Sequence, residues 1–539
     1  MRHGGRILAD QLAIQGVERV FSVPGESFLA ALDGLLDAGI PNTVCRHEGG
    51  AAMMAEAWGK MTGRPGVAFV TRGPGATNAA AGVHVARQDG TPMILFVGQI
   101  ARGHVDRDAF QEVDFRAMFA PLAKWAAQVE DTGRLPEYVA RAFATAMSGR
   151  PGPVVLALPE DMLSARADVP DRSPVVVPRP ALPDLGAILG PLSRAARPLV
   201  VAGGPGWEAA SSRALAAWAE RHGLPIAVSF RRQDAIDNRA PAYAGDLNVG
   251  PNPALVARLR DADVVLALGT RLGDIETRGY AALDPAGAGP TLIHVHPDAA
   301  ELGRVWPTAH PVVADAPAVA VALAASDAVL PGWHDQMEEA RAAYEAWRQP
   351  RTTPGMVKLE EVVLHLDRAL PEDAIVTNGA GNYAAFLHRY YRWKGPGTQL
   401  APTSGSMGYG LPAAVAASLR HPDRTVVCLA GDGCLQMTSA EMATAVQAGA
   451  APVVIVCDNG RYGTIRMHQE RSYPGRVSGT DLVNPDFAAL ARAHGGVGLT
   501  VENGAAFPDA LAEARAAGRL ALIHLRLDPA MLSTGADLA

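Results

Sequence analysis

Cysteine is scarce in this sequence: four in 539 residues, Cys45, Cys428, Cys434 and Cys457. None forms a Cys-x-x-Cys pair or has metal-ligand spacing, which excludes a disulfide scaffold and a zinc module and points to a reducing cytoplasm. Charge of one sign is missing too. Lys and Arg total 48 against 55 Asp and Glu, a net −7 spread along the chain, without the basic face that a nucleic-acid partner needs. No apolar run approaches the roughly 18 residues of a membrane span. The start, Met1 to Arg6, leads into an amphipathic stretch containing Asp10, unlike a secretory signal. What is present is 48% hydrophobic and 19% charged residues, a core-forming composition that excludes a disordered or fibrous chain. The expectation is a cytoplasmic enzyme or assembly subunit of several domains, with no nucleic-acid and no membrane partner.

Short apolar runs alternate with longer helical patterns, which is the signature of parallel α/β domains. Strands are expected at 19–23, 43–46, 67–70, 93–97 and 154–158, then at 198–202, 225–229, 264–268 and 292–295, then at 374–377, 425–430, 452–457 and 520–525. Helical patterns cover 28–38, 50–61, 439–448 and, as one stretch, 318–342. Five prolines between Val169 and Pro183 cannot continue a helix or a central strand, so that stretch reads as a linker. A second linker covers 348–355. The fold class is α/β: three doubly wound parallel-sheet domains over residues 1–168, 184–347 and 356–539.

In open parallel sheets, ligands bind outside the carboxyl ends of the strands. Strand 425–430 runs into Gly431-Asp432-Gly433-Cys434, and strand 452–457 into Asp458-Asn459-Gly460-Arg461-Tyr462-Gly463-Thr464. Asp432 and Asn459 are 27 residues apart, room for one helix and a return strand, and a right-handed crossover sets the two exits side by side. One carboxylate and one amide oxygen, completed by backbone carbonyl and diphosphate oxygens, make a hard octahedral site that suits Mg²⁺. In the first third, Arg46-His47-Glu48 ends a strand and opens a helix rich in Ala, Met and Gly. A carboxyl group in such apolar surroundings has its pKa raised toward neutrality, as proton exchange requires.

Gly-Asp-Gly, 25 residues, then Asp-Asn resembles the signature of thiamine diphosphate-dependent enzymes, and further matches run the length of the chain. Val23-Pro-Gly25, Val70-Thr-Arg-Gly-Pro-Gly-Ala-Thr-Asn78, Asp108-Ala-Phe-Gln-Glu112, Pro121-Leu-Ala-Lys-Trp125 and Gly405-Ser-Met-Gly-Tyr-Gly410 are similar to the acetolactate synthase branch. That resemblance implies thiamine diphosphate and Mg²⁺ as cofactors and a 2-oxo acid as substrate. It implies decarboxylation followed by transfer of the acyl carbanion to a second carbonyl, in a homodimer or homotetramer with its sites at the subunit interface. It makes Glu48 the partner of the aminopyrimidine N1′ and, with Gln111, catalytic. Asp432, Asn459 and the Arg461 carbonyl hold Mg²⁺. Gly405 meets the 4′-amino group and Met407 props the thiazolium ring. Gly381, Asn382, Gly433, Cys434, Gly463 and Thr464 cradle the diphosphate, with Asn459 beside them. Lys124 lies near substrate or cofactor, and His468 stands where the branch has a tryptophan that favours a larger acceptor.

Two further departures are Glu26, a carboxylate after the Pro-Gly pair, and Arg72 in place of the usual Ser. In the middle domain, Ala202 to Gly206 and Leu268 to Asp274 are the exits that hold FAD in biosynthetic acetolactate synthases. The flavin pattern between them is not evident, which makes a packing domain the first reading and FAD the second. The alternatives are a 2-oxo acid decarboxylase or acyl-CoA lyase of the same family, a flavin-dependent oxidase, and a non-catalytic regulatory subunit.

Overall fold

The computed structural model describes residues 1–287 and 289–535. Three six-stranded sheets follow one another along the chain, with every neighbouring pair of strands parallel. In spatial order the first holds Asn42–Val44, Val20–Ser22, Gly66–Val70, Met93–Gln99, Pro153–Pro159 and Trp125–Gln128. The second holds Tyr243–Leu247, Ile226–Ser229, Pro198–Ala202, Val264–Leu268, Thr291–His296 and His310–Val313. The third holds Gln399–Leu400, Ile375–Asn378, Val426–Gly431, Val453–Asp458, Ala521–Arg526 and Val497–Val501. A short antiparallel pair, Arg2–His3 with Arg166–Ala167, ties the start of the first domain to its end.

The twelve interior strands are those that the sequence marks, to within a residue or two at each end. They are buried on both faces and therefore read as unbroken apolar runs; Met93–Gln99 and Pro153–Pro159 are buried at every residue. Five of the six edge strands escape the pattern. Trp125–Gln128 is half-buried throughout, Tyr243–Leu247 contains Gly245 at φ +117°, and His310–Val313 alternates with solvent. One expected helix is corrected: 318–342 is two helices, Ala316–Ala325 and His334–Trp347. The break contains Pro331 and Gly332, the latter at φ +87°, and neither continues a helix.

The first and third domains share one apolar core. Helix Glu48–Thr62 packs along helix Gly410–Arg420 through small side chains, Ala51, Ala52 and Ala55 in one core with Ala413, Ala416 and Ala417. Polar groups lock the pairing: Glu441 Oε1 accepts the backbone N–H of His47 at 3.0 Å, and buried Glu56 accepts Thr91 Oγ1 at 2.6 Å and the Tyr409 hydroxyl. The middle domain has its own core around Trp218, Val228 and Leu266. No described helix is long and apolar enough to cross a membrane.

Candidate active site

The carboxyl-end edge of the third sheet is built from glycine turns. Val426–Gly431 lies between Ile375–Asn378 and Val453–Asp458, so its exit meets theirs. Strand order reverses between Ile375–Asn378 and Val426–Gly431, a topological switch point. Here a cavity of about 220 Å³ opens, lined by Gly381, Asn382, Gly405, Met407, Asp432, Gly433, Cys434, Asn459, Arg461, Gly463 and Thr464. Every third-domain residue singled out in the sequence except His468 is on that wall.

The geometry is tight. A Cβ on Gly433 would lie 2.4 Å from the Tyr462 ring, and one on Gly379 would lie 2.4 Å from Cys434 Sγ. Gly405 takes φ +66°, which favours glycine. Cys434 Sγ accepts from the Gly408 N–H and the Tyr383 hydroxyl, each at 3.2 Å. The N–H of Asn382 donates to Thr464 Oγ1 at 2.9 Å. Asn459 Nδ2 donates to the Met531 carbonyl at 3.0 Å, leaving its Oδ1 as the free acceptor.

Asp432 is buried, and its carboxylate accepts the N–H groups of Gly433 (2.8 Å) and Gly460 (3.0 Å) and Asn484 Nδ2 (2.8 Å). Burial, with the neighbouring Asp458 carboxylate, pushes its pKa up. Asp458 is held low by His524 and Asn484, with His524 Nε2 at 2.7 Å. Asp432 Oδ, Asn459 Oδ1 and a backbone carbonyl form an oxygen donor set that fits Mg²⁺. Among the described residues no group of three His, Cys, Asp or Glu could hold a metal by itself, so an ion at this edge needs oxygens from elsewhere.

The first sheet carries the other cluster. Glu48 opens its helix and is half-buried, with Asn78 Nδ2 donating to Oε2 at 3.0 Å. A Cβ on Gly75 would lie 3.4 Å from Glu48 Oε1, and one on Gly73 would lie 2.8 Å from Gln111 Cβ. Gln111 has φ +65°, and its Oε1 is buried without a partner. Glu48 and Gln111 thus both lie against Gly73 to Gly75, at the start of helix Pro74–Asp89, but do not line the third-domain cavity.

Two expected residues are brought to neither cluster within the chain. Lys124 precedes strand Trp125–Gln128, at the end of the sheet opposite the Glu48 exit; its ammonium donates to the Ser148 carbonyl at 2.6 Å, and burial lowers its pKa to about 8. His468 is exposed on helix Gly463–Ser472, where Arg471 pairs with it at 2.6 Å. Residues without a sequence signal also enter the cavity: Tyr383, Leu527, Met531 and Leu532 line it, and Asn484 bridges Asp432 and Asp458. Only Tyr383, one residue beyond the Gly379–Asn382 turn, was within reach of a motif.

A second cavity, about 840 Å³, lies where the three domains and the proline-rich linker meet, lined by Lys60, Arg64, Arg179, Trp207, Arg232 and Asp315 among others. The middle-domain exits beside it close on each other: a Cβ on Gly204 would lie 2.2 Å from the Gly269 carbonyl oxygen, and Trp207 Nε1 donates to the Gly203 carbonyl.

Three family descriptions match the chain in order: thiamine pyrophosphate enzyme, N-terminal TPP binding domain, over residues 2–118; central domain, over 185–323; and C-terminal TPP binding domain, over 379–525. The acetolactate synthase large subunit of Haemophilus influenzae is 31% identical over 528 residues, covering 94% of this chain and 90% of that protein. Acetolactate synthase isozyme 3 large subunit of Escherichia coli is 32% identical, covering 95% and 92%. The isozyme 2 large subunit of the same organism is 30% identical, covering 92% and 90%.

Proposed function

Because the chain belongs to the thiamine pyrophosphate enzyme family, on its acetolactate synthase-like branch, we propose that it decarboxylates a 2-oxo acid and transfers the acyl carbon to a second carbonyl compound. When bound, thiamine diphosphate supplies the electron sink that lets CO₂ leave and the acyl carbon attack. The observation that carries the reading is the convergence of the Gly381, Gly405, Asp432 and Asn459 segments on one cavity at a switch point.

On this reading the chain's residues divide the work. Asp432, Asn459 and the Arg461 carbonyl hold Mg²⁺ against the diphosphate. Gly433, Cys434, Gly463 and Thr464 line the diphosphate cradle, Cys434 and Thr464 presenting backbone N–H groups to the phosphate oxygens, while the Gly433 N–H stays on Asp432 and the Gly463 N–H on the Arg461 carbonyl. Met407, half-buried on the wall, props the thiazolium ring, and the Gly405 carbonyl orients the aminopyrimidine. Glu48 exchanges a proton with N1′, and Asn78 orients its carboxyl group. The unpartnered Gln111 Oε1 faces substrate.

Glu48 stands outside the Asp432 cavity of its own chain, so the complete site pairs the first domain of one subunit with the third domain of another. Exposed apolar side chains accompany both clusters: Phe110 adjoins Gln111 in the chain, and Ile465 lies on the Asn459 cavity wall. Such surfaces mark an interface. The middle domain serves packing, its two exits held together by the close approach of Gly204 to Gly269; FAD bound at these exits is the second reading.

Apoprotein supplied with Mg²⁺, thiamine diphosphate and a panel of 2-oxo acids tests the proposal. CO₂ release that requires both additions, with a carbon–carbon-bonded product, is expected. Activity without thiamine diphosphate, or no release from any oxo acid, contradicts it.

A further inference from the structure

Glu26 and Arg72, the two departures in the first domain, are one feature in space. Strands Val20–Ser22 and Gly66–Val70 are neighbours, and the chain leaves them in opposite directions, toward Asn42–Val44 and Met93–Gln99. Their exits form the switch point of the first sheet, where open parallel sheets receive ligands. Glu26 follows one exit and Arg72 the other. Arg72 is buried, with Nη2 3.3 Å from Glu26 Oε1 and Nη1 3.2 Å from Glu160 Oε2. Glu26 is the exposed end of this triad, its side chain 62% exposed against 10% for Arg72.

The two loops cannot drift apart. Ser27 Oγ and Thr71 Oγ1 are 2.8 Å apart, and a Cβ on Gly25 would lie 2.5 Å from Thr71 Cβ. The residues after Arg72 are those that touch the catalytic candidates, Gly73 against Gln111 and Gly75 against Glu48. Glu48 follows the next strand, Asn42–Val44, and Thr71 lies between Gly25 on one side and Gly75, against Glu48, on the other, so the Glu26 loop is tied to the Glu48 exit.

We propose that Glu26, fixed by Arg72, sets the acceptor: it turns away a second anionic oxo acid and selects a neutral, hydroxyl-bearing carbonyl compound. This rests on the carboligation reading above and names its acceptor class. Two carboxylates share one guanidinium, so the triad is net negative, and Glu48 adds to it. The donor loses its carboxylate as CO₂, whereas an acceptor oxo acid keeps its own against like charge. A hydroxyl group instead donates a charge-assisted hydrogen bond to Glu26.

The test uses holoenzyme with Mg²⁺, thiamine diphosphate and the 2-oxo acid that releases CO₂ fastest, offered glycolaldehyde and pyruvate at equal concentration as competing acceptors. The readout is the ratio of the two products at whatever rate remains. The wild type is expected to favour glycolaldehyde by about tenfold or more, and Glu26→Gln and Glu26→Gly to lower that ratio about tenfold. Added salt should narrow the wild-type preference and leave the variants' ratio unchanged, as a charge effect requires. A wild type that prefers pyruvate, or variants that keep the wild-type ratio, overturns the inference and leaves the decarboxylation reading standing. If no oxo acid releases CO₂, the functional reading falls and this inference falls with it.

Discussion

Asp432 shows why one carboxylate can carry a site. It is buried between two strand exits, with two backbone N–H groups and Asn484 on its oxygens. Those donors hold it in place, and Mg²⁺ would supply the positive charge that an anionic diphosphate needs beside a carboxylate. Asp432→Ala is expected to weaken Mg²⁺-dependent thiamine diphosphate binding by at least about 100-fold in calorimetry; unchanged affinity would remove its anchoring role. Asp246 is a second buried carboxylate with a different consequence. Burial pushes its pKa up to about 7, against the hydrogen bonds that Asn248 and Gln233 donate to it. A carboxyl group raised in the fold is comfortable below its ordinary pKa near 4, and its stabilising contribution is lost as pH rises from there through about 7. Asp246→Asn is therefore expected to flatten the decline in stability between about pH 4 and 7, and to raise Tm at pH 8, by a contribution on the order of 2–3 kcal/mol. Equal Tm values at pH 8 would show that the carboxyl group relaxes by other means. Sequence alone marks Asp432, by its glycines and its spacing to Asn459. It does not mark Asp246, whose burial depends on an irregular edge strand.

Strands and their turns decide how the cavity is shaped. Gly433 lets the backbone run beneath the Tyr462 ring, where a methyl group would sit 2.4 Å from it. Gly433→Ala is expected to push Tyr462 aside and lower thiamine diphosphate affinity at least about tenfold, with a stability loss of about 1–3 kcal/mol. A titration giving wild-type affinity would mean that the ring yields freely. The same close approach recurs between helices Glu48–Thr62 and Pro74–Asp89, where a Cβ on Gly82 would lie 2.4 Å from Ala52 Cβ. Gly82→Val should lower Tm, by about 2–4 kcal/mol of stability at the midpoint, and displace Asn78, one turn earlier, from Glu48. Intact Tm would place the helices further apart than the structure has them.

At this scale the sequence is informative in a specific way. Interior strands are legible because both faces are buried; edge strands are less so, because some meet solvent, as Trp125–Gln128 and His310–Val313 do, and the buried ones are two residues long or broken by a glycine, as Gln399–Leu400 and Tyr243–Leu247 are. The cavity wall was legible wherever glycine and a polar side chain share a strand exit, as at Gly379–Asn382, Asp432 and Asn459. Leu527, Met531 and Leu532 were not, since they close the cavity from a terminal segment with no motif of its own. His468 matched a position in a pattern, yet the helix turns it outward. Glu26 and Arg72 were each visible as departures, but their pairing needed the sheet order.

Across the whole molecule, one chain presents two incomplete clusters: Glu48 and Gln111 on the first sheet, Asp432 and Asn459 on the third. The shared core between helices Glu48–Thr62 and Gly410–Arg420 fixes the two domains to each other, with Glu48 outside the third-domain cavity. A symmetric dimer that sets the first cluster of each subunit on the third-domain cavity of its partner would complete two sites at once. The most direct test mixes Glu48→Gln subunits with Asp432→Ala subunits under conditions of verified exchange. Each parent alone is expected to be inactive, Glu48→Gln because losing the proton carrier slows the reaction about 10²–10⁴-fold. In an equal mixture about a quarter of the sites should combine two unaltered halves, and activity should return to that level. No recovery after complete exchange would mean that each chain builds its own site, and near-normal activity of the Glu48→Gln parent would contradict the account at its centre.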